Sequence, residues 1–314
     1  MDRAHIISLG SINVDFQMRA QHRPESGETL LAEDFLMAGG GKAANVAFIA
    51  RRLGVDACLL ARVGDDALAE EALSPLRRAG VDLTLTKPVE GQPTGAAFIL
   101  VQPDGDKRII LAANANQAWV AEDLDEVAAA IYQAPLGSVL VADLEVSDDI
   151  VTAALLTARH CGLPIVLDPS PAGRMRLELF PLVDYLTPNP AETKLLTGIE
   201  IQSPEDGFRA GRALLRYGVG TALIKLQGGG CVVISRETQE CLSAPRVDVV
   251  DKTGAGDAFA GALAVALLRG RTSRDAARFA VTAATLAVTR YGSQASYPSE
   301  TEIERLLGAE GSER

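Results

Sequence analysis

Short apolar runs recur along this chain, each about the length of a buried strand. His5-Ile6-Ile7-Ser8-Leu9 is the first and stops at Gly10. Cys58–Val63, Ser138–Ala142, Ile165–Asp168, Asp184–Thr187, Thr221–Leu226 and Cys231–Ser235 follow. Between them a second cadence repeats: Arg51-Arg52-Leu53-Gly54-Val55, Arg77-Arg78-Ala79-Gly80-Val81, Arg159-His160-Cys161-Gly162-Leu163 and Arg216-Tyr217-Gly218-Val219. Each puts basic residues in a last helical turn, a glycine just past it and an apolar residue entering a strand. Helix then strand, many times over, predicts an α/β fold with a mostly parallel central sheet and helices on both faces. The irregular spacing excludes a solenoid.

Two regions break the cadence. Thr94–Gln102 and Lys107–Ala113 are apolar runs joined by Pro103-Asp104-Gly105-Asp106, a hairpin signal. Pro24–Leu36 is polar and then alternating, with a strand expected near Thr29–Ala32. Insertions at about 14–37 and 92–114 are therefore expected to build a small β-sheet lid on a single domain spanning residues 1–314. An edge hairpin with no moving role is the alternative. Towards the end, Arg236–Arg246 is polar and turn-rich. Ala258–Leu268, Ser273–Thr289 and Thr301–Leu307 read as helices, with a frayed tail from Gly308.

Composition narrows the function. With 314 residues, 47% of them hydrophobic, the chain can bury a large core. A net charge of -11 and the lack of any Lys/Arg-rich run argue against nucleic acid or an anionic membrane as partner. Cys58, Cys161, Cys231 and Cys241 show no CxxC spacing, and the chain shows neither a signal pattern nor a membrane-spanning run. A cytoplasmic location is expected.

The chemistry gathers at glycine turns. Asp251-Lys252-Thr253-Gly254-Ala255-Gly256-Asp257 runs into the apolar helix from Ala258. A helix N-terminus behind so bare a backbone suits an anion, commonly a phosphate. Asp257 then reads either as a helix cap or as a general base that takes a proton from a hydroxyl attacking phosphorus. A second turn, Gly39-Gly40-Gly41-Lys42-Ala43-Ala44-Asn45, opens another helix, and Asn13 and Asp15 follow the first strand at the edge where α/β sheets bind ligands.

Together these stretches resemble the PfkB group of ribokinase-like carbohydrate kinases, and the resemblance runs from about Ile6 to Pro298. Gly10-Ser11-Ile12-Asn13-Val14-Asp15, Pro24-Glu25-Ser26-Gly27-Glu28-Thr29, Gly40-Gly41-Lys42-Ala43-Ala44-Asn45, Asp168-Pro169-Ser170-Pro171-Ala172, Thr187-Pro188-Asn189 and Val288-Thr289-Arg290-Tyr291-Gly292 carry it, nearest to the ribokinases within the family. It implies a ribokinase-like three-layer α/β/α domain with a small lid. The implied activity is ATP-dependent phosphorylation of the primary hydroxyl of a free sugar, D-ribose before fructose, a deoxy sugar, a nucleoside or another small polyol. A catalytically silent sugar-binding relative is the reading from another class; the intact Asp257 and glycine turn oppose it.

The resemblance also implies roles. Asn13, Asp15, Gly41, Lys42, Ala43, Ala44, Asn45 and Glu145 would line the sugar pocket, with Asp257 as base and Gly254, Ala255 and Gly256 facing the transferred phosphoryl group. Asn189, Lys225, Leu226, Gln227, Gly228, Gly229, Gly230, Gly256 and Val281 would hold the nucleotide. Glu192 would act on Mg²⁺ through water. Asp251, Thr253, Ala287, Arg290, Gly292 and Ser296 would hold a monovalent cation, K⁺ in preference to Na⁺. Three residues depart from the family pattern: Ala43 and Gln227 stand where glycine is usual, and Lys252 where threonine is usual. Lys252 either points into solvent or folds inward and replaces the cation. Phe98, Ile110 and Asn114 are expected to tune the choice of sugar, and an apolar lid is expected to pair two subunits into a homodimer.

Overall fold

The computed structural model describes residues 3–312. The chain begins β1 (Ile6–Leu9), β2 (Asn13–Arg19), β3 (Asp34–Gly40), α1 (Lys42–Arg52), β4 (Ala57–Gly64), α2 (Ala67–Ala79) and β5 (Thr86–Val89). It continues β6 (Gly95–Val101), β7 (Lys107–Ala112), α3 (Ala121–Tyr132), β8 (Val139–Ala142), α4 (Asp148–His160), β9 (Ile165–Leu167) and β10 (Tyr185–Leu186). It closes with α5 (Pro190–Thr197), α6 (Pro204–Arg216), β11 (Thr221–Lys225), β12 (Cys231–Ile234), β13 (Gln239–Leu242), α7 (Ala255–Leu268), α8 (Ser273–Ala287) and α9 (Glu300–Ser312).

The main sheet has nine strands in the order β13-β12-β11-β10-β9-β8-β1-β4-β5. Pairing is parallel from β11 through β5, while β12 and β13 run antiparallel at one edge. Alternation along each strand feeds two cores. Ile6, Leu59 and Val141 pack with α1, α2, α7 and α8 on one face, whereas Ile7, Leu60 and Leu140 pack with α3, α4 and α6 on the other. Helix α7 is buried continuously from Asp257 to Ala266, so its N-terminal turn is fixed from all sides.

A separate four-stranded sheet, β3-β2-β6-β7, stands over the main one. β2 pairs antiparallel with β3 and parallel with β6, and β6 pairs antiparallel with β7. Its period of two separates two faces. Asn13, Asp15 and Gln17 are buried on one, whereas Phe16 stacks on Phe98 with ring centroids 5.2 Å apart on the other. Ile110 pairs with Phe98 and shares that outer face. Phe98 and Ile110 therefore point away from Asp15, which corrects their expected part in sugar choice.

Other expectations shift as well. No strand forms at Thr29–Ala32; it forms at Asp34–Gly40, where a full register with β2 is available. Gly39 and Gly40 are thus strand residues rather than part of a turn, and Gly41 alone makes the bend, at φ 95°. The polar stretch 236–246 contains β13, because β12 offers it an open edge. Helix α9 runs on through Gly308, where a frayed end was expected.

Candidate active site

Asp257 lies in the first turn of α7, behind Gly254 at φ 73°. A side chain on Gly254 would strike Tyr297 Oη, 2.6 Å away, so the turn tolerates only glycine there. Tyr297 Oη donates to the Gly254 carbonyl at 3.1 Å and pins the bend from below. Asn45, on α1, donates from Nδ2 to Asp257 Oδ2 at 2.8 Å. Gln294 Nε2 in turn donates to Asn45 Oδ1 at 3.1 Å and fixes which way that amide faces. Oδ1 of Asp257 is left towards the cleft, with Lys42 Nζ at 3.6 Å.

The sugar-side candidates converge here. Asp15 is buried on the lid's inner face, and a Cβ on Gly40 would fall on its carboxylate, which is why the neighbouring strand carries no side chain at that point. Burial, and then the nearby Asp257 charge, push the Asp15 carboxyl up to about 7, with Lys107 opposing. Asn13 Oδ1 accepts from Asn116 Nδ2 at 2.8 Å. Gly41 bends the backbone so closely over Ser11 and Ile12 that an added Cβ would lie 2.6 Å from each. Ala43 and Ala44 are helical and buried, so the alanine at 43 needs no positive φ and costs the turn nothing. Burial and then Lys42 act in opposite senses on Glu145, and its pKa ends raised. Asp143, two residues earlier, is raised too by burial and by Glu145, while its carboxylate accepts from the Ser11 and Glu145 amides.

The nucleotide-side candidates lie at the ends of β10 and β11. Asn189 and Glu192 form a reciprocal cap on α5: Asn189 Oδ1 accepts from the Glu192 amide at 2.9 Å, and Glu192 Oε2 from the Asn189 amide at 2.8 Å. Burial and then Asp168 raise the Glu192 pKa. Leu226 to Gly230 form the tight β11–β12 connection, with Gly229 and Gly230 at positive φ and Gln227 exposed at its tip. Val281 is buried in α8 as part of the core. Lys225 Nζ donates to Asp168 Oδ2 at 3.2 Å, and Lys42 Nζ lies 3.4 Å from Asp168 Oδ1. Burial works against the Lys42 charge, but Asp168 and Asp257 outweigh it and hold its pKa well above the ordinary value.

Around the second loop, Asp251 is fully buried and accepts from Gln17 Nε2 at 2.5 Å, Thr253 N at 2.8 Å and Gly292 N at 2.9 Å. Thr253 Oγ1 is buried without a hydrogen-bond partner. Ala287 ends α8, its carbonyl receiving the Arg290 amide at 3.4 Å. Ser296 is buried beneath Arg290, whose guanidinium pairs with Glu302. Lys252 turns away from Asp251: its Nζ donates to Asp106 Oδ1 at 2.5 Å on the lid hairpin. Of the two conformations open to it, it takes the outward one. Lys107 reaches back from the same hairpin to the Lys252 carbonyl at 3.2 Å.

A family model described as pfkB family carbohydrate kinase matches residues 3–300. The chain belongs to the PfkB family of carbohydrate kinases. This PfkB kinase is 32% identical to a ribokinase of Haemophilus influenzae over 305 residues, 97% of this chain and 99% of that one. It is 31% identical to a deoxyribokinase of Salmonella typhi over 303 residues, 96% of this chain and 98% of that one. Among solved structures it resembles Arabidopsis thaliana ribokinase complexed with ribose and ATP, with a TM-score of 0.82 and 30% identity over 98% of this chain and 99% of that one. The fold is that of the ribokinases, and the enzyme is an ATP-dependent sugar kinase.

Several residues of the PfkB kinase's cleft escaped the reading of the sequence. Gln17 carried a legible signal, since it continues the alternation of Asn13 and Asp15. Asn116, Lys107 and Gln294 carried none, because each is a lone polar residue brought in from a distant segment.

Proposed function

We propose that this kinase transfers the γ-phosphoryl group of ATP to the primary hydroxyl of free D-ribose, giving D-ribose 5-phosphate. The observation that carries the reading is the hydrogen bond from Asn45 to Asp257, which ties the helix that lines the sugar pocket to the base at the anion turn. Asp15 and Asn13 under the lid suit the vicinal hydroxyls of a pentose. The Arabidopsis relative complexed with ribose and ATP supports the same substrates. The deoxyribokinase relative favours 2-deoxy-D-ribose as a second reading. Coupled ADP release over D-ribose, 2-deoxy-D-ribose, D-fructose and a nucleoside tests it. The highest kcat/KM is expected for D-ribose, and a tenfold preference for another acceptor would replace it.

The remaining parts belong to this proposal. Among the described residues no group of three His, Cys, Asp or Glu is placed to hold a metal. Because Mg²⁺ keeps most of its waters, it would rest on ATP phosphates and water, with Glu192 reached through water; it would neutralise phosphate charge. K⁺ suits the second loop: Asp251 is a buried carboxylate with no ion pair to a basic side chain among the described residues, and Thr253 Oγ1 beside it lacks a partner. Arg290, Gly292, Ala287 and Ser296 would add oxygens. K⁺ should raise the unfolding temperature and the rate more than Na⁺ does, in wild type and Lys252→Thr alike, because Lys252 points outward. The outer lid face supports a homodimer, and four free thiols support a reducing cytoplasm.

A further inference from the structure

Asp168 has no part in the transfer described so far, yet it is the hub of the cleft's charges. It is 5% exposed and faces two ammonium groups, Lys42 from the sugar side and Lys225 from the end of β11. Lys42 continues to Asp257. Lys225 Nζ lies 3.5 Å from the point where a Cβ on Gly256 would sit. Gly256 carries none, so the ammonium faces the anion turn with no side chain of that residue between them. The Phe259 ring, 5.5 Å from Nζ, backs it from α7.

We propose that Lys225 is a catalytic residue whose ammonium meets the phosphoryl group as it moves, and that Asp168 is a positioning residue holding Lys225 and Lys42 at either end of its path. This rests on the proposed function. In the step, the sugar oxygen bonds to the γ-phosphorus as the bond from phosphorus to the bridging oxygen breaks, and that electron pair leaves on ADP. The hydroxyl proton goes to Asp257 Oδ1, since Oδ2 is engaged by Asn45. Before the step, the charges of Lys42, Lys225, Asp168 and Asp257 cancel. Once Asp257 is protonated, the four carry one net positive charge, at the moment when negative charge spreads over the phosphoryl and leaving oxygens. Such a charge acts more strongly in the transition state than on bound ATP.

The test compares Lys225→Met, Lys225→Arg, Asp168→Asn and the double variant Asp168→Asn/Lys225→Met, with D-ribose as acceptor. Lys225→Met is expected to lower kcat by about 10²–10³-fold while KM for ATP changes less than about threefold. Lys225→Arg should recover part of that loss. Asp168→Asn should cost about tenfold in kcat, and the double variant should stay as slow as Lys225→Met. A rise in ATP KM with kcat intact would make Lys225 a nucleotide-holding residue only. Recovery of kcat in the double variant would show a pair that serves packing alone. The double variant leaves no unpaired buried carboxylate, which guards against loss of folding. The slow release of ADP with water as acceptor is read in parallel. It tests Lys225 even where ribose is not the substrate, so failure of the substrate reading and of this one are distinguishable.

Discussion

Asp257 and Asp15 are carboxylates in one cleft, and their partners divide the work between them. Asp257 has one oxygen engaged by Asn45 and one turned towards Lys42. Replacing Asp257 by Asn should lower kcat by about 10²–10⁴-fold with sugar binding largely retained. Steady-state kinetics beside a direct sugar-binding titration checks this, and a variant keeping more than about a tenth of the wild-type kcat removes Asp257 from the role of base. Asp15 has no strong cationic partner and is held up to about 7 by burial and by Asp257. A raised carboxyl is protonated below that value, so kcat/KM for the sugar should climb as pH rises and level off above about 7. Asp15→Asn should lower the plateau and flatten the climb; an unchanged profile would assign the ionisation to another group. Both aspartates were legible in the sequence, one from its glycine turn and one from its place after the first strand. Asp168 stood in a motif that carried the resemblance, but its role was not legible, because it depends on two lysines that come from segments 126 residues before it and 57 after it along the chain.

The two helices that carry Asn45 and Asp257 cross at Gly261. A Cβ there would run into Ile49, with the Val46 carbonyl 3.3 Å away. The missing side chain thus sets the separation of α1 and α7, and through it the bond between Asn45 and Asp257. Gly261→Leu should force the helices apart, lower the melting temperature by several degrees and reduce kcat, since overpacking a filled core costs about 1–3 kcal/mol. Thermal unfolding and kinetics on one preparation check both effects, and loss of stability with kcat intact would uncouple the crossing from the site. Most helices and main-sheet strands were legible because apolar periodicity and glycine stops are local signals. β2, β3, β5 and β13 were displaced or missed because each owes its place to a neighbouring strand rather than to its own residues. The lid's inner and outer faces could not be told apart until pairing fixed the register.

At the scale of the whole molecule, the outer lid face is the feature that the single chain leaves unexplained. Phe35, Phe98 and Ile110 stand exposed beside the stacked Phe16, and chains rarely leave such a face in water. Wild type is expected to be a dimer by light scattering at micromolar concentration, and Phe98→Glu with Ile110→Glu is expected to yield a monomer. A monomeric, fully active wild type would end that reading. The inner face has a different consequence. Gln17 reaches Asp251, Lys107 reaches the Lys252 carbonyl, the Lys252 amide reaches the Gly105 carbonyl and the Lys252 ammonium grips Asp106, so the lid touches the anion turn at four points. Were the lid to lift, it would give up all four together, and the turn would lose that support while no sugar is enclosed. An enzyme so built would break ATP wastefully only at a trickle while it waits, and a cell starved of the sugar would keep its nucleotide pool.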